Sequence, residues 1–354
     1  MREVSIEKRK RAHLDLCADR DVEHRAKTTL FEEVELVHDA LTELDLGGVD
    51  TSVEFLGKQL RAPFLITGMT GGTSEAAAVN RDLAALAEKH GIGFGVGSQR
   101  AMLRRPELEE TYRVRGVAPT TLLLANLGLN QAAKLATAKI EAMVAAIGAD
   151  ALCVHLNPAQ ELVQREGDRS FAGGIEGLRR LVAELSIPLI AKETGCGISA
   201  VVGRRLEEIG VRAVDVSGAG GTSWVRVEQL RGDERSRALG ETFRDWGIPT
   251  AASLLQLRDT SLARIASGGI RNPLEAAKAL ALGAEICGFA LPVFRAYRRG
   301  GVKAADEFLG GMIEGLRVAL VLTNSPDVER LRRCPVVLGP RLARWAETEK
   351  GTRS

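Results

Sequence analysis

Polar side chains stand near the ends of seven short apolar runs of the chain. Because strand side chains alternate between two faces, each run splits into two rows, and one row of each turns polar toward its end. Any single polar side chain could be one that is exposed where a strand frays. Polar ends on seven runs together indicate one polar pocket, of the kind in which barrel enzymes carry out their chemistry. These residues are Thr67, Ser98, Asn126, His155, Asn157, Lys192, Thr194, Asp215, Ser217 and Ser267.

Glycine-rich segments after the later runs could bind phosphate. Gly268 and Gly269 in SGGIR (267–271) let backbone N–H groups approach an anion, and the helix that follows adds its dipole. A glycine pair also makes ordinary tight turns, but loops after strands seven and eight form the phosphate site of many barrels. SGAGGTSW (217–224) adds the hydroxyls of Ser217 and Thr222, while MTGG (69–72) better suits a flat ring. Either of these two loops could instead be a hinge.

Eight strand-like runs alternate with helical patterns from residue 63 onward, a rhythm that produces parallel sheets. The GxGxxG turn typical of an open doubly wound sheet does not follow the first run. We therefore predict an α/β fold, a (β/α)8 TIM barrel over 63–354. Residues 1–62 form an N-terminal basic arm that caps one end, in a single domain overall. The runs are 64–70, 94–99, 122–128, 151–157, 188–194, 213–218, 264–270 and 285–292.

Two other segments carry predictions about local structure. PTAAS (249–253) is better explained as the approach to a helix than as a ninth strand, within a long connection (219–263) that could overhang the barrel mouth. Between the last two strands, Asn272 is the predicted N-cap of a helix, Pro273 its first residue and Gly283 its end. Its predicted apolar stripe is Leu274, Ala277, Leu280 and Ala281.

Composition excludes several classes of protein. Apolar residues at 45% and charged residues at 27% permit a full globular core. A net charge of +2, with acids and bases interspersed, argues against a nucleic-acid partner. We find neither a signal peptide nor an apolar stretch long enough for a membrane span. Five scattered cysteines without a CxxC pair suit reduced thiols, so we expect a cytoplasmic protein.

Nine motifs are spread along the chain: RKRAH (9–13), TGMTGG (67–72), VGSQR (96–100), NLG (126–128), HLNPAQE (155–161), KETGCGIS (192–199), SGAGGTSW (217–224), ASGGIR (266–271) and ALP (290–292). Together they closely resemble the type 2 isopentenyl diphosphate isomerases, FMN-dependent barrel enzymes of isoprenoid biosynthesis. The resemblance runs from about residue 8 into the C-terminal region. HLNPAQE and the RKxxH arm are specific to that family, whereas SGGIR and a strand-five lysine are shared by many FMN barrels.

The resemblance implies the reversible isomerisation of isopentenyl diphosphate to dimethylallyl diphosphate, with FMN that must be reduced, commonly by NADPH, and with Mg²⁺. It also implies a homo-oligomer, a tetramer or larger. Protonating an unactivated alkene needs a strong acid at one carbon and a base at another, in a dry pocket. No ordinary side chain here is an obvious acid of that strength, so a reduced flavin is a reasonable supplier of the proton.

The resemblance also assigns roles to individual residues. Gln160 and Lys192 are catalytic and Glu161 binds Mg²⁺. The substrate contacts are Arg9, Lys10, His13, Ser98, Gln99, Arg100, His155, Asn157 and Gln160. The FMN contacts are Thr67, Gly68, Met69, Thr70, Ser98, Asn126, Lys192, Ser217, Thr222, Gly268, Gly269, Arg271, Ala290 and Leu291.

Some alternatives stay open at this point. An ammonium in a barrel mouth needs a partner, which for Lys192 could be an anionic reduced flavin or a neighbour such as Glu193 or Asp215. An FMN-dependent oxidoreductase such as a 2-hydroxy-acid oxidase would need a His–Arg pair near strand seven, yet no histidine follows His155. A Schiff-base lyase using Lys192 would need no flavin. A non-catalytic phosphate-binding barrel is disfavoured by the density of polar strand ends.

Overall fold

Eight parallel strands close into a barrel with helices between them. The computed structural model describes residues 6–347. Each barrel strand pairs with the next along the chain, and the last pairs with the first, which confirms the predicted (β/α)8 barrel. Each of the eight predicted runs overlaps one barrel strand.

The strands include the eight of the barrel, β4 to β11, and four outside it. In chain order they are β1 Val34–Leu36, β2 Val53–Phe55, β3 Lys58–Leu60, β4 Phe64–Ile66, β5 Gly93–Gly95, β6 Leu123–Gly128, β7 Ala151–Leu156, β8 Leu189–Glu193, β9 Ala213–Asp215, β10 Ala263–Ala266, β11 Ile286–Phe289 and β12 Val336–Leu338.

Helices connect the strands and cover the barrel. They are α1 Ile6–Asp19, α2 Ser74–His90, α3 Arg100–Arg104, α4 Leu129–Lys134, α5 Thr137–Ile147, α6 Pro158–Val163, α7 Gly174–Glu184, α8 Ala200–Ile209, α9 Trp224–Arg231, α10 Glu234–Phe243, α11 Thr250–Gln256, α12 Pro273–Ala281, α13 Leu291–Leu322, α14 Val328–Leu331 and α15 Pro340–Glu347. Short 3₁₀ helices cover Phe31–Glu33 and Pro106–Thr111. Between residues 6 and 347, no helix combines the length and apolarity that crossing a membrane requires.

Local signals explain the helices at the end of the barrel. The Asn272 side chain accepts a hydrogen bond from the backbone N–H of Glu275 at 2.9 Å, so the predicted N-cap of α12 is confirmed. The predicted stripe was wrong at one position, because Leu274 is 52% exposed and the helix buries Ala276 and Ala279 instead. Segment 249–253 enters α11, as expected for a helix rather than a ninth strand.

The N-terminal segment covers both ends of the barrel rather than one. Helix α1 packs against α9 and α13 over the C-terminal ends of the strands. The β2–β3 hairpin lies at the opposite end, where Glu54 to Gly57 share a cavity wall with Arg212, Ala263 and Glu285, which precede or begin barrel strands. Strand β1 pairs with β12 from the far end of the chain. The sequence patterns of these short strands carried no information about which end each would reach.

Candidate active site

A cleft opens where the C-terminal ends of all eight barrel strands converge. Helix α1 forms one side of it and the long connection between β9 and β10 another. The residues predicted from sequence that line this cleft are Arg9, Lys10, His13, Thr67, Gly68, Met69, Thr70, Ser98, Arg100, Asn126, His155, Asn157, Gln160, Glu161, Lys192, Thr194, Ser217, Thr222, Ser267, Gly268, Gly269, Arg271, Ala290 and Leu291. The single pocket inferred from the polar strand ends is therefore present.

Gln99 is a predicted substrate contact that the structure places behind the wall. Its side chain is fully buried, and its Oε1 accepts a hydrogen bond from the backbone N–H of Asn126 at 3.0 Å. Its Nε2 donates to the carbonyl of Met143 at 3.4 Å. The neighbouring Ser98 lines the cleft. Gln99 therefore supports Asn126 instead of touching the contents of the cleft.

The basic arm directs one face of α1 into the cleft. Arg9, Lys10 and His13 lie on this face because residues three to four apart share a side of a helix, whereas Lys8 and Arg11 are exposed. The partners of Lys10 Nζ are uncharged: the Ser98 carbonyl at 3.1 Å, the Tyr112 hydroxyl at 2.6 Å and the Gly71 carbonyl. Burial, with a smaller effect of Arg9, lowers the pKa of Lys10 to about 7.

His155 stands in the cleft as a neutral imidazole. Burial lowers its pKa to about 4, and the positive charges of Lys192 and Arg100 act in the same direction. Its Nδ1 lies 2.8 Å from Asn126 Oδ1, so Nδ1 donates and Nε2 of the neutral ring is an acceptor. Phosphate oxygens and the unprotonated Nε2 are both hydrogen-bond acceptors. A hydrogen bond between them therefore requires a proton on one of the two atoms.

The HLNPAQE motif forms the end of β7 and the first turns of α6. Asn157 Nδ2 donates to Gln160 Oε1 and to Glu161 Oε1, each at 3.1 Å. The other carboxylate oxygen of Glu161, Oε2, accepts from the backbone N–H of Asp168 at 2.7 Å. Pro158 at the first helical position starts this short helix. The motif thus presents an amide and a carboxylate side by side on one wall.

Glu228, which the sequence analysis missed, anchors this wall from α9. Its side chain is fully buried and accepts from Gln160 Nε2 at 3.1 Å, pairs with His13 Nε2 at 3.0 Å and pairs with Arg231 Nη2 at 2.7 Å. Burial alone would raise the pKa of Glu228, but the hydrogen bonds and charges of its partners outweigh it and hold the pKa at about 2. Glu228 lies in α9 among other charged residues, so nothing in the local sequence marked it as the buried partner of Gln160 and His13.

Lys192 lies on β8, the fifth strand of the barrel, and is paired with a neighbouring carboxylate. Such a neighbour was one of the two partners that the sequence left open, the other being a reduced flavin. Lys192 Nζ lies 2.6 Å from Asp215 Oδ2, and both side chains are buried. A Schiff-base lyase would require Lys192 as a free amine, which this ion pair disfavours. Lys192 still lines the cleft, so its paired ammonium faces whatever is bound there.

The glycine pair after β10 makes a close backbone approach. Gly268 and Gly269 have φ values of 95° and 83°, which favour glycine. A Cβ on Gly268 would lie 2.2 Å from the Gly218 carbonyl oxygen, and one on Gly269 would lie 2.3 Å from Thr29 Cγ2. At the rim, Arg271 Nε donates to Glu23 Oε1 at 3.0 Å. These loops form a narrow backbone cradle suited to a phosphate group.

Known proteins resemble the chain over nearly its full length. Residues 3–172 match the family model of FMN-dependent dehydrogenases. The chain is 45% identical over 349 residues to an isopentenyl-diphosphate delta-isomerase of Pyrococcus furiosus, covering 96% of this chain and 88% of the relative. It is 47% identical over 342 residues to the enzyme of that name from Synechococcus sp., covering 96% and 98%. The chain belongs to the isopentenyl-diphosphate delta-isomerase family. The resemblance drawn from its motifs is confirmed.

Solved structures similar to this family member show the same fold at low identity. A flavocytochrome b2 variant superposes with a TM-score of 0.69 at 19% identity, covering 93% of this chain and 82% of the other. A mandelate oxidase variant carrying an FMN adduct gives a TM-score of 0.62 at 17% identity, covering 92% and 95%. At such identities the likeness concerns the barrel alone.

The cleft of this isomerase-family chain fits FMN, the cofactor that the family model supports. At Gly268 and Gly269 a Cβ would clash with the neighbouring segments, so only glycine allows the close backbone approach that a phosphate-binding loop uses. For metals, residues 6–347 bring no three His, Cys, Asp or Glu side chains into an arrangement that could hold an ion. Any Mg²⁺ in this cleft would therefore need oxygen ligands from water and substrate beside Glu161.

Proposed function

We propose that the chain catalyses the reversible isomerisation of isopentenyl diphosphate to dimethylallyl diphosphate with reduced FMN, in isoprenoid biosynthesis. The observation that carries this proposal is the presence of two anion-binding regions in one cleft. The glycine cradle after β10 suits the FMN phosphate, and the cationic face of α1 on another wall suits a diphosphate. An enzyme that binds a flavin nucleotide against a small diphosphate needs both.

The proposal gives cleft-lining residues the roles that the resemblance implies. The diphosphate is held by Arg9, Lys10, His13, Ser98, Arg100, His155 and Asn157, through charge-assisted hydrogen bonds. FMN is held by Thr67, Gly68, Met69, Thr70, Ser98, Asn126, Lys192, Ser217, Thr222, Gly268, Gly269, Arg271, Ala290 and Leu291. Gln99 contributes through its hydrogen bond to Asn126.

The reaction adds a proton to the terminal alkene carbon and removes one from the carbon next to the oxygen-bearing methylene. When bound, reduced FMN supplies the proton exchange in the region of its N5. Gln160, held between Asn157 and Glu228, orients the five-carbon chain and keeps water from it. Lys192 lies on the cofactor side of the cleft, with its ammonium paired to Asp215.

The remaining requirements of the reaction belong to the same proposal. Glu161 binds Mg²⁺ together with waters and diphosphate oxygens, since that ion prefers one or two carboxylates plus phosphate. NADPH is the reductant that brings FMN to its active form. The enzyme works in the cytoplasm as a homo-oligomer of four or more copies, with its small diphosphate as partner and no nucleic acid or membrane.

An anaerobic assay tests this function directly. Purified protein with FMN, NADPH and Mg²⁺ should convert isopentenyl diphosphate to dimethylallyl diphosphate, with no net consumption of NADPH once FMN is reduced. Product formation is followed by mass spectrometry after acid hydrolysis to the alcohols. Absence of turnover with fully reduced FMN would reject the proposal. Stoichiometric NADPH oxidation with a 2-hydroxy acid would instead favour the oxidoreductase alternative.

We expect Glu161→Gln to raise the Mg²⁺ concentration needed for half-maximal rate by about tenfold to 100-fold, because a neutral amide is a weaker ligand for this ion. FMN content should stay at the wild-type level. The matched control is Glu54→Gln, a change of the same type at the opposite end of the barrel. A Mg²⁺ titration identical to that of the wild type would show that Glu161 does not bind the metal.

Diphosphate binding should weaken as pH rises, because Lys10 must be protonated to bind an anion. Its pKa of about 7 in the free protein lies below the usual lysine value, so above pH 7 binding requires uptake of a proton. We expect the Kd for isopentenyl diphosphate to rise by up to about tenfold per pH unit between about pH 7.5 and 9. Isothermal titration calorimetry in buffers of different ionisation enthalpy measures both affinity and proton uptake.

Two variants isolate the contribution of Lys10. Lys10→Met should bind more weakly at every pH and lose this pH dependence. Lys8→Met, at an exposed position of the same helix, should retain it. A wild-type affinity that does not change across this range, without proton uptake, would contradict the assignment.

A further inference from the structure

A buried carboxylate lies directly behind the wall of the cleft, at the ends of three neighbouring strands. Asp215 is the last residue of β9 and is 1% exposed. In the barrel register it pairs with Lys192 of β8 and with Ile265 of β10. The carboxylate can therefore be reached by side chains from both adjacent strands.

The hydrogen bonds of Asp215 lead to residues that line the cleft. Lys192 Nζ donates to Oδ2 at 2.6 Å, the backbone N–H of Ser217 donates to Oδ1 at 3.2 Å, and the Ser267 hydroxyl donates to Oδ1. Lys192, Ser217 and Ser267 line the cleft, whereas Asp215 lies behind them. Asp215 therefore acts on a bound molecule through its partners.

The bond to Ser217 also holds an uncommon backbone conformation. Ser217 has a φ of 36°, in the left-handed region that non-glycine residues rarely adopt. Its amide is fixed by Asp215 at the start of the glycine-rich loop after β9. One carboxylate thus orders an ammonium, a hydroxyl and a strained loop on the same wall.

We propose that Asp215 is a positioning residue that sets the charge met by the flavin, because it neutralises Lys192 and fixes its ammonium in the wall of the cleft. This inference rests on the proposed function, which places FMN against Lys192. Opposite charges 2.6 Å apart present little net charge to a neighbouring ring. Without the carboxylate, the ammonium alone faces the cofactor and favours its negatively charged forms.

This neutralisation suits a reaction that moves protons and no net electrons. A reduced cofactor that must give up and regain a proton needs a proton affinity low enough for release and high enough for recapture. An unpaired ammonium would lower that affinity, since it stabilises the deprotonated anion. Because Asp215 is buried, solvent screens the charge of its carboxylate only weakly.

The midpoint potential of bound FMN tests this role. Asp215→Asn keeps the shape and hydrogen-bonding atoms of the side chain but removes its charge. We expect the equilibrium constant for FMN reduction to rise about tenfold, a positive shift of about 30 mV for a two-electron couple. Anaerobic reductive titration against a reference dye measures the potential, and the spectrum of the reduced form reports a larger anionic fraction.

A second substitution separates charge from other effects. In the double variant Asp215→Asn with Lys192→Met, the ammonium is gone, so the potential should return to near the wild-type value. Asp150→Asn, which removes a carboxylate paired with Arg115 at 2.9 Å just before β7, is the matched control and should leave the potential unchanged. Asp215→Ser carries the same charge change and the same expected shift if Asp215→Asn does not fold.

Three results would overturn the inference: an unchanged potential in Asp215→Asn, a negative shift, or a positive shift that persists in the double variant. Failure of the proposed function gives a different pattern. In that case the wild-type protein itself binds no FMN, or binds it and isomerises nothing. A wild type that binds FMN and turns over substrate, beside an Asp215→Asn variant with unaltered potential, rejects the role of Asp215 alone.

Discussion

We expect Gln160→Ala to lower the turnover of isopentenyl diphosphate by at least about 100-fold while FMN stays bound, because misplacement of a substrate by about 1 Å costs that much. Gln160 lines the cleft and is held by Asn157 at 3.1 Å and by Glu228 at 3.1 Å. Truncation removes the amide, deprives Glu228 of a donor and admits water beside the alkene. Anaerobic steady-state kinetics at saturating FMN and Mg²⁺ measure the loss.

The matched control for this prediction is Gln59→Ala. Gln59 lies exposed on β3, in the hairpin at the opposite end of the barrel, so its truncation should leave kcat and KM unchanged. FMN content is read from the flavin absorbance of each purified protein. If Gln160→Ala lost its flavin, or turned over at the wild-type rate, the residue would not stand beside the reacting carbons.

Gly268→Ala should weaken FMN binding by about 100-fold, since a side chain at this φ costs about 1–3 kcal/mol and the cradle must also open. The added Cβ would lie 2.2 Å from the Gly218 carbonyl oxygen, a contact between two backbone segments that have no flexible side chain to move. The loops would separate and withdraw their N–H groups from the phosphate. Quenching of FMN fluorescence on titration into apoprotein measures the Kd.

A glycine with free space around it provides the comparison. A Cβ at Gly116 meets no atom within 4 Å, and its φ is not positive, so Gly116→Ala should bind FMN as the wild type does. Riboflavin, which lacks the phosphate, should bind Gly268→Ala and the wild type with similar affinity. Equal loss of riboflavin affinity would show that the substitution disturbs the whole cleft and would contradict a specific phosphate cradle.

The barrel and most of the cleft wall could be predicted because their signals are local. Strands buried on both faces are continuous apolar runs, and each of the eight runs overlaps one barrel strand. Strand alternation then separated Ser98, Asn126 and Lys192 from their outward neighbours, and the barrel brought their ends together. Gln99, which the motif resemblance assigned to the substrate, lies behind the wall and bonds to the backbone of Asn126.

Other parts of the site depend on contacts between distant segments and have no local signature. Glu228 is a buried anchor only because α9 folds back over the mouth and meets His13 and Gln160. The exposure of Leu274 likewise depends on which side of α12 meets α13, which helical periodicity alone does not settle. Long-range packing decides such positions, and a single sequence does not record it.

The pairing of β1 with β12 joins segments that are synthesised far apart in time. Val34 lies opposite Leu338, so about 300 residues must be translated between the two. At about 5–20 residues per second this takes roughly 15–60 s, during which the earlier strand has an unpaired edge. During translation of this protein, the edge of β1 therefore stays unpaired until β12 has been synthesised.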